Sequence, residues 1–345
     1  MTNIGQLQHL ISTKPGEFLI SLVWAVIVAY GIYHLIMWAI INATFTGALD
    51  DCNSHGACWL YVSGNITNFV MGLYPRDHLW RPLLVYFLVL LNIIVIAFPL
   101  GRIRQYGFMS LLTILPFMTY WLLGGGLGLT TVPPLYWSGF ILNIVLFVSV
   151  TTLMLPVGVT LALCRRSQMP VVHGLARVTI DLMRGLPMVT ILFVASTIIP
   201  FLFPNGMSGN RILRVVICLS LFTGAYAAEV IRGGIQVVPR GQSEAATSLG
   251  LSYWQTTGYI VLPQALEIGF PGLVNIAIGL FKDSTLLIII GMMDLLNIVF
   301  STQSNPKWMK YYFEGLVMVG FAFWLGCFLL SMISCYWEKR LKIQR

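Results

Sequence analysis

The amino-acid sequence predicts an all-α polytopic membrane protein with about eight transmembrane helices. The 345-residue chain is 57% hydrophobic and only 9% charged, and its mean hydropathy is +0.83. A water-soluble protein carries a far larger share of charged residues. Several stretches could cross a hydrocarbon layer of roughly 30 Å. Because backbone amides and carbonyls in that layer must bond to each other, each stretch is expected to be helical.

Eight apolar stretches are close to the roughly 20 residues that span a bilayer. In chain order they are residues 18–41, 83–100, 107–123, 140–163, 186–203, 212–231, 268–290 and 316–336. The third is short, and the seventh contains Lys282 and Asp283. The first is too long for the core of a signal peptide and is expected to remain as an anchor. Cleavage after Ala43 or Ala48 is the alternative.

The distribution of Lys and Arg predicts that both termini are cytoplasmic. If eight spans are threaded from the cytoplasm, 13 of the 20 basic residues lie inside and six lie outside, as the positive-inside rule requires. The net charge of +8 therefore reflects membrane orientation, and nothing indicates nucleic-acid binding. The inside set is Lys14, Arg102, Arg104, Arg165, Arg166, Arg177, Arg184, Arg232, Arg240, Lys339, Arg340, Lys342 and Arg345.

The chain is expected to divide near residue 135. Residues 1–135 form a three-span N-terminal extension with a periplasmic loop at 42–81, and residues 136–345 form a five-span core. The glycine-rich run 124–128, followed by Pro133 and Pro134, is typical of a helix break and predicts a re-entrant or interfacial turn. The loop 42–81 is long enough for a small lid or docking surface, but too short for an independent domain.

Two of the six cysteines lie in the predicted outer loop. Cys52 and Cys58 have five residues between them, and an oxidising periplasm would permit a disulfide. Whether they are bonded is left open by the sequence. The other four lie in or beside spans, where cysteine usually acts as a small apolar residue. The histidines are scattered, and no metal site is predicted.

A polar segment at about 235–263 interrupts the apolar core. Arg232, Gly233 and Gly234 are expected to end the sixth span. Pro239, Arg240 and Gly241 form a second break, and a short helix follows at 243–249. Ser252 has the spacing of a capping box with Gln255 and starts another helix, which Pro263 is expected to interrupt.

This segment is expected to be a stiff protrusion that holds a partner protein. Glu244 offers a charge to a basic residue, Ala245 and Ala246 allow close backbone approach, and Gly250 permits a turn that a side chain would strain. Arg240 and Gly241 precede this set, and Ile260, Leu262 and Pro263 follow it. An ordinary amphipathic loop is the alternative, because Glu-Ala-Ala alone is common in helices.

Together with four other stretches, this segment resembles the polar-amino-acid permease family of ATP-binding-cassette (ABC) importers, the histidine/glutamine type, over about residues 137–296. Those stretches are 184–187 (RGLP), 225–229 (AYAAE) with 232–234 (RGG), 238–242 (VPRGQ) and 280–286 (LFKDSTL). In that family the segment containing Glu244, Ala245, Ala246 and Gly250 is the cytoplasmic coupling loop. The extra N-terminal spans resemble the larger permease subunit of general L-amino-acid importers.

The resemblance implies a type I importer permease in the bacterial inner membrane that works as a homomeric or heteromeric pair. The sequence does not decide between the two, but the extra N-terminal spans lead us to expect a shorter paralogue as the partner. The resemblance also implies a cytoplasmic ATPase dimer that binds ATP and Mg²⁺, and a periplasmic amino-acid-binding protein. The chain has no Walker motif, so no cofactor and no catalytic residue are expected in it. Which amino acids are carried cannot be determined from the sequence.

Charged residues within predicted spans are candidates for the substrate path. Asp283 is expected to face that path, with Lys282 and Ser284 beside it, because an acid facing lipid is costly. Alternatively, Lys282 and Asp283 anchor the span near an interface. Glu229 with Arg232 and Asp181 with Arg184 have i, i+3 spacing and predict local ion pairs.

Two other functional classes remain as alternatives. An ion-coupled secondary transporter would be expected to carry several intramembrane charges and paired repeats, whereas this chain has one clear acid and no visible repeat. A membrane-embedded enzyme would need a nucleophile beside a base, or a carboxylate pair, and neither is visible. The importer permease is therefore favoured.

Overall fold

The computed structural model describes residues 15–52, 55–97, 107, 110, 113–203 and 210–343. In these ranges the chain is almost entirely helical, and its only β-type pairings are isolated bridges. It divides into two compact units, Met1–Ile66 with Gln303–Met318 and Thr67–Thr302 with Val319–Arg345. Of the basic residues used to predict orientation, Lys14, Arg102, Arg104 and Arg345 lie outside the described residues.

The helices are named here in chain order. They are α1 (Pro15–Ile36), α2 (Trp59–Met71), α3 (Trp80–Ala97), α4 (Ile114–Gly124), α5 (Phe140–Arg165), α6 (Pro170–Gly185), α7 (Met188–Leu202), α8 (Arg211–Val237), α9 (Arg240–Ser248), α10 (Tyr253–Ile290), α11 (Leu295–Ser301) and α12 (Tyr312–Ile343). Helix α10 contains a π turn at Thr257–Val261 and ends as a 3₁₀ helix at Ser284–Ile290.

Five helical segments among the described residues are long and apolar enough to cross a membrane. They are Gly16–Ile41, Phe140–Arg165, Arg211–Val237, Tyr253–Ile290 and Met309–Lys339. Helices α6 and α7 meet at 107° and give a sixth if they form one broken span. The predicted spans 83–100 and 107–123 correspond to the shorter helices α3 and α4, and residues 98–106 lie outside the description. The predicted all-α membrane class is confirmed, but the count of eight is not.

In the first unit, the segment after α1 is fixed by a disulfide and by aromatic packing. Cys52 is bonded to Cys58, with a Cα–Cα distance of 5.5 Å. The backbone N–H of Cys58 donates to Glu314 Oε1 at 3.0 Å. The rings of Tyr61 and Trp308 lie 5.5 Å apart. The predicted loop 42–81 contains α2, which the sequence analysis did not anticipate.

In the second unit, α8 is central and packs against α5 and α10. Small residues permit the close approach. A Cβ on Gly158 of α5 would lie 2.8 Å from Ala227 Cβ, and a Cβ on Gly234 would lie 2.3 Å from the carbonyl oxygen of Ala265. Such small-residue contacts are the usual means by which membrane helices approach each other.

The prediction that Gly233 and Gly234 end the sixth span was wrong. Helix α8 continues to Val237 and stops at Pro239, which cannot donate a backbone hydrogen bond. Gly234 is needed for contact with α10 rather than for a helix stop. Glycine is therefore required at this position for helix packing and not for helix capping.

The prediction that Pro263 interrupts the following helix was also wrong. The capping box at Ser252 is present, with Gln255 N donating to Ser252 Oγ and Ser252 N donating to Gln255 Oε1. The helix then widens into the π turn just before Pro263 and continues without a break. A π turn relieves the mismatch that proline creates with the preceding turn. The Gln264 side chain satisfies the Ile260 carbonyl at 2.9 Å.

Helix α6 has an exposed apolar stripe. Val171, Leu175, Val178 and Leu182 recur at helical spacing and are all more than half exposed. The opposite side of the helix contains the buried Ala176 and Ile180. A helix with this pattern is typical of one lying along a membrane surface, and it meets α7 at a sharp bend.

Candidate functional site

The candidate site is centred on the polar loop, defined here as residues 238–252, between α8 and α10. Helix α9 packs on the π turn of α10. It ends with the C-terminal pattern of a Schellman motif, in which Gly250 N donates to Thr247 O and Leu251 N donates to Ala246 O. Gly250 has a φ of +79°, which a side chain would strain although the surrounding space is open. The loop is therefore rigid, and it connects two long helices, α8 and α10.

The face that α9 presents outward differs in part from the expected one. Glu244 and Ala245 are exposed, as is Gly250, whereas Ala246 is only 1% exposed and packs into its own chain. Among the described residues the Glu244 carboxylate has no partner. Leu249, which the sequence analysis missed, is 80% exposed beside Gly250. Exposed Ala245 and Leu249 are four residues apart and share one side of α9, and the exposed Glu244 precedes Ala245. Such a mixed polar and apolar surface is suitable for contact with a protein partner.

The residues predicted to support the loop take different roles. Arg240 and Gly241 lie in the first turn of α9 and are exposed. Ile260 and Leu262 are half-buried on either side of Val261, and Pro263 follows the π turn. Ile260 therefore belongs to the π turn against which α9 rests, and Leu262 and Pro263 continue the helix directly after it.

A cluster of ion pairs lies close to this loop and ties three helices together. Glu229 of α8 accepts from Arg165 of α5 at 2.7 Å and from Arg232 at 2.8 Å, and lies 3.7 Å from Arg184 of α6. The predicted Glu229–Arg232 pair is therefore confirmed. The predicted Asp181–Arg184 pair was wrong, because Asp181 instead contacts Arg165 at 3.4 Å and Arg177 at 3.6 Å.

The ion-pair cluster and the polar loop face one cavity of about 470 Å³. Arg165 and Arg232 line it from the cluster, and Arg240 and Ser243 line it from α9. The cavity therefore lies between α9 and the ion pairs that join α5, α6 and α8.

The predicted substrate-path residues lie at the other end of α10. At about 1.5 Å per residue, Asp283 is ~45 Å from Tyr253 along the helix. Lys282 is exposed, Asp283 is half-buried, and no ion pair joins them among the described residues. Ser284 is buried and accepts from Asn143 Nδ2 at 2.9 Å while donating to the Phe281 carbonyl. Ser284 is thus already used in packing.

Next to Ser284 lies a buried acid that the sequence analysis did not single out. Asp294 is fully buried and caps α11, accepting from Asn297 N at 3.1 Å and Leu296 N at 3.3 Å. Burial raises the pKa of its carboxyl to about 6, although the two N–H donors oppose this. Asn143 joins Ser284 to Leu295 N and so connects α5, α10 and α11.

Comparison with known proteins identifies the family. Residues 154–343, which contain the polar loop, match the family described as "Binding-protein-dependent transport system inner membrane component". The chain belongs to this family. As an inner-membrane component, it is a multi-pass membrane protein, in agreement with its apolar helices. The match begins within α5, so α1 to α4 lie outside it.

Individual relatives of this inner-membrane component extend further along the chain. It is 39% identical to the inner membrane amino-acid ABC transporter permease protein YhdY of Escherichia coli K12, over 90% of this chain and 85% of that one. It is 35% identical to the glutamate/glutamine/aspartate/asparagine transport system permease protein BztC of Rhodobacter capsulatus, over 83% of this chain and 79% of that one.

A solved structure has a similar fold. A chain in the crystal structure of an amino acid ABC transporter with histidines is matched with a TM-score of 0.52 and 29% identity. The match covers 61% of the present chain and all of the solved one. The resemblance to a permease family and the all-α fold are therefore both confirmed.

Proposed function

We propose that this chain is the transmembrane pore subunit of an ATP-driven importer that carries amino acids from periplasm to cytoplasm. The observation that carries the proposal is the exposed, rigid helix α9, which lies between two long apolar helices in the family-matched region. The names of YhdY and BztC, an amino-acid permease and a glutamate/glutamine/aspartate/asparagine permease, support the substrate class.

In this proposal a separate ATPase dimer grips the polar loop through Glu244, Ala245 and Leu249. ATP and Mg²⁺ bind to that ATPase, and closure of the dimer draws α9 with it. The movement reaches the helices tied by Glu229 and alternates access between the two sides of the membrane. A second permease, which we expect to be a paralogue, completes the pore, and a periplasmic amino-acid-binding protein delivers the substrate.

The proposed location is the bacterial inner membrane with both termini in the cytoplasm. The polar loop then faces the cytoplasm, and the Cys52–Cys58 disulfide faces the oxidising periplasm. We also keep Asp283 as the proposed path residue, because its carboxylate has no hydrogen-bond partner among the described residues. The division into an extension at 1–135 and a core at 136–345 remains a proposal.

The test is capture of the candidate ATPase by the detergent-solubilised chain. Glu244→Arg reverses the exposed charge, and Gly250→Trp strains the turn that ends α9. Asp50→Arg is the matched control, since it reverses an exposed acid in the loop 42–81. We expect loss of capture in the first two variants only, with membrane insertion unchanged. Equal capture by all four proteins would contradict the proposed site, and no capture by wild type would favour a secondary transporter.

A further inference from the structure

A second cavity, of about 460 Å³, runs along α10 and is separate from the polar loop. Four helices line it: α3, α5, α10 and α12. Its lining extends from Pro263 and Trp337 at the polar-loop end to Leu330 and Ala277 deeper in the bundle. Pro263 and Ala277 are ~21 Å apart along α10 at 1.5 Å per residue. The cavity is therefore elongated along the helices.

The lining suits an aliphatic ligand rather than an amino acid. Most of its side chains are apolar, among them Ile93, Ile96 and Leu273. The Asn92 amide is already engaged, because it donates to the Gly107 carbonyl at 3.2 Å. The Thr151 hydroxyl is buried without a hydrogen-bond partner among the described residues. Together with Glu267 it offers a zwitterionic amino acid too few polar groups to replace its hydration. An extended hydrocarbon chain would fill the same volume at no such cost.

One carboxylate stands where the cavity meets the membrane boundary. Glu267 lines the polar-loop end, is exposed, and has no ion pair or hydrogen bond to any described residue. About 20 residues of helix cross the hydrocarbon layer, so a span that ends at Ile290 begins near Glu267. An acid at this level is costly unless a cation lies beside it.

We propose that this cavity holds an acyl chain of an amine-bearing phospholipid from the leaflet on the polar-loop side, with Glu267 bound to the headgroup ammonium. The lipid occupies a groove that exists because α3 packs beside the family-matched helices. Since α3 lies outside the residues that match the family, the site belongs to the longer form of the permease. The lipid would thereby join the extension to the core, whichever substrate is carried.

The first test is native mass spectrometry of the delipidated full chain with phosphatidylethanolamine, phosphatidylglycerol and phosphatidylcholine of matched acyl chains. Wild type is expected to retain phosphatidylethanolamine in preference to the other two. Glu267→Gln removes the charge-assisted bond and is expected to reduce that preference roughly fivefold. Glu244→Gln is the matched control, because it removes another exposed, unpartnered carboxylate on the polar-loop side and should leave the preference unchanged. An unchanged preference in Glu267→Gln, or a preference for phosphatidylglycerol, would overturn the proposal.

The second test locates the acyl chain. Ala277→Phe fills the deep end of the cavity and is expected to abolish retention of any lipid there. Since this variant could fail to fold, wild type is also treated with phosphatidylethanolamine that carries a photoreactive diazirine in its acyl chain. We expect adducts in the peptides containing residues 263–277 and 330–337. Adducts elsewhere, or full lipid retention by a folded Ala277→Phe variant, would show that the cavity is not the binding site.

Discussion

Glu229 and Arg165 are 64 residues apart in the sequence, and their side chains meet at 2.7 Å. The contact joins α8 to the end of α5, and Glu229 is also held by Arg184 and Arg232. Three guanidinium groups therefore share one carboxylate whose side chain is only 17% exposed. Removing that carboxylate would leave several positive charges facing each other.

Glu229→Gln is accordingly expected to destabilise the protein by about 1–2 kcal/mol. The measurement is thermal unfolding in detergent, followed by tryptophan fluorescence. Asp181→Asn is the control, because Asp181 is half exposed and its ion pairs should contribute less than about 1 kcal/mol. Equal melting temperatures for wild type and Glu229→Gln would show that the cluster does not hold the helices together.

Adjacent glycines in α8 should respond in opposite directions. Gly234→Ala would place a Cβ 2.3 Å from the Ala265 carbonyl oxygen and is expected to cost about 1–3 kcal/mol. Gly233 has open space around it, so Gly233→Ala should stabilise the helix by about 0.5–1 kcal/mol. Thermal unfolding of the two variants checks the pair, and a similar effect of both would contradict the described packing of α8 on α10.

The buried acid Asp294 predicts that stability falls as pH rises. Its pKa is about 6 in the folded chain, above the ordinary value of 3.8, so folding favours the protonated form. Stability is therefore expected to decrease between about pH 4 and pH 6 and to remain reduced above that range, by up to ~3 kcal/mol.

Asp294→Asn should remove this dependence while retaining the cap on α11, since asparagine is also a good N-cap residue. The measurement is the melting temperature of both proteins from pH 4.5 to pH 7.5. Parallel curves would indicate that Asp294 does not titrate in this interval.

The Cys52–Cys58 disulfide can be tested by counting the cysteines that react with a maleimide. Four cysteines are free and two are bonded. A polyethylene-glycol maleimide added to the denatured, unreduced protein should add four mass increments, and prior reduction should raise the number to the six cysteines of the chain. Cys52→Ser should give five increments with or without reduction. Six increments in unreduced wild type would contradict the bond.

Local features of this chain could be predicted from the sequence. The Ser252–Gln255 capping box and the Glu229–Arg232 pair depend on residues three positions apart, so helical spacing determines them. The contact of Glu229 with Arg165, by contrast, depends on how two helices cross. The burial of Ala246 depends on the π turn at Thr257–Val261, which no spacing rule indicated.

The two wrong helix boundaries have a related cause. Glycine and proline usually end helices in water, because a free backbone group there can bond to solvent. Inside a packed membrane bundle, Gly234 serves close contact with Ala265, and the π turn with Gln264 accommodates Pro263. The sequence of α10 thus indicated a break at Pro263, whereas in the structure the helix continues through this residue.

That continuity makes α10 a single rod of about 57 Å, with the polar loop at one end and Asp283 near the other. A rigid rod converts rotation into displacement in proportion to its length. A tilt of roughly 10° about its midpoint would move each end by ~5 Å, close to one helical turn. A small rotation of α10 that is driven through α9 would therefore move the far end of the helix by several ångströms. No change of secondary structure along α10 would be needed.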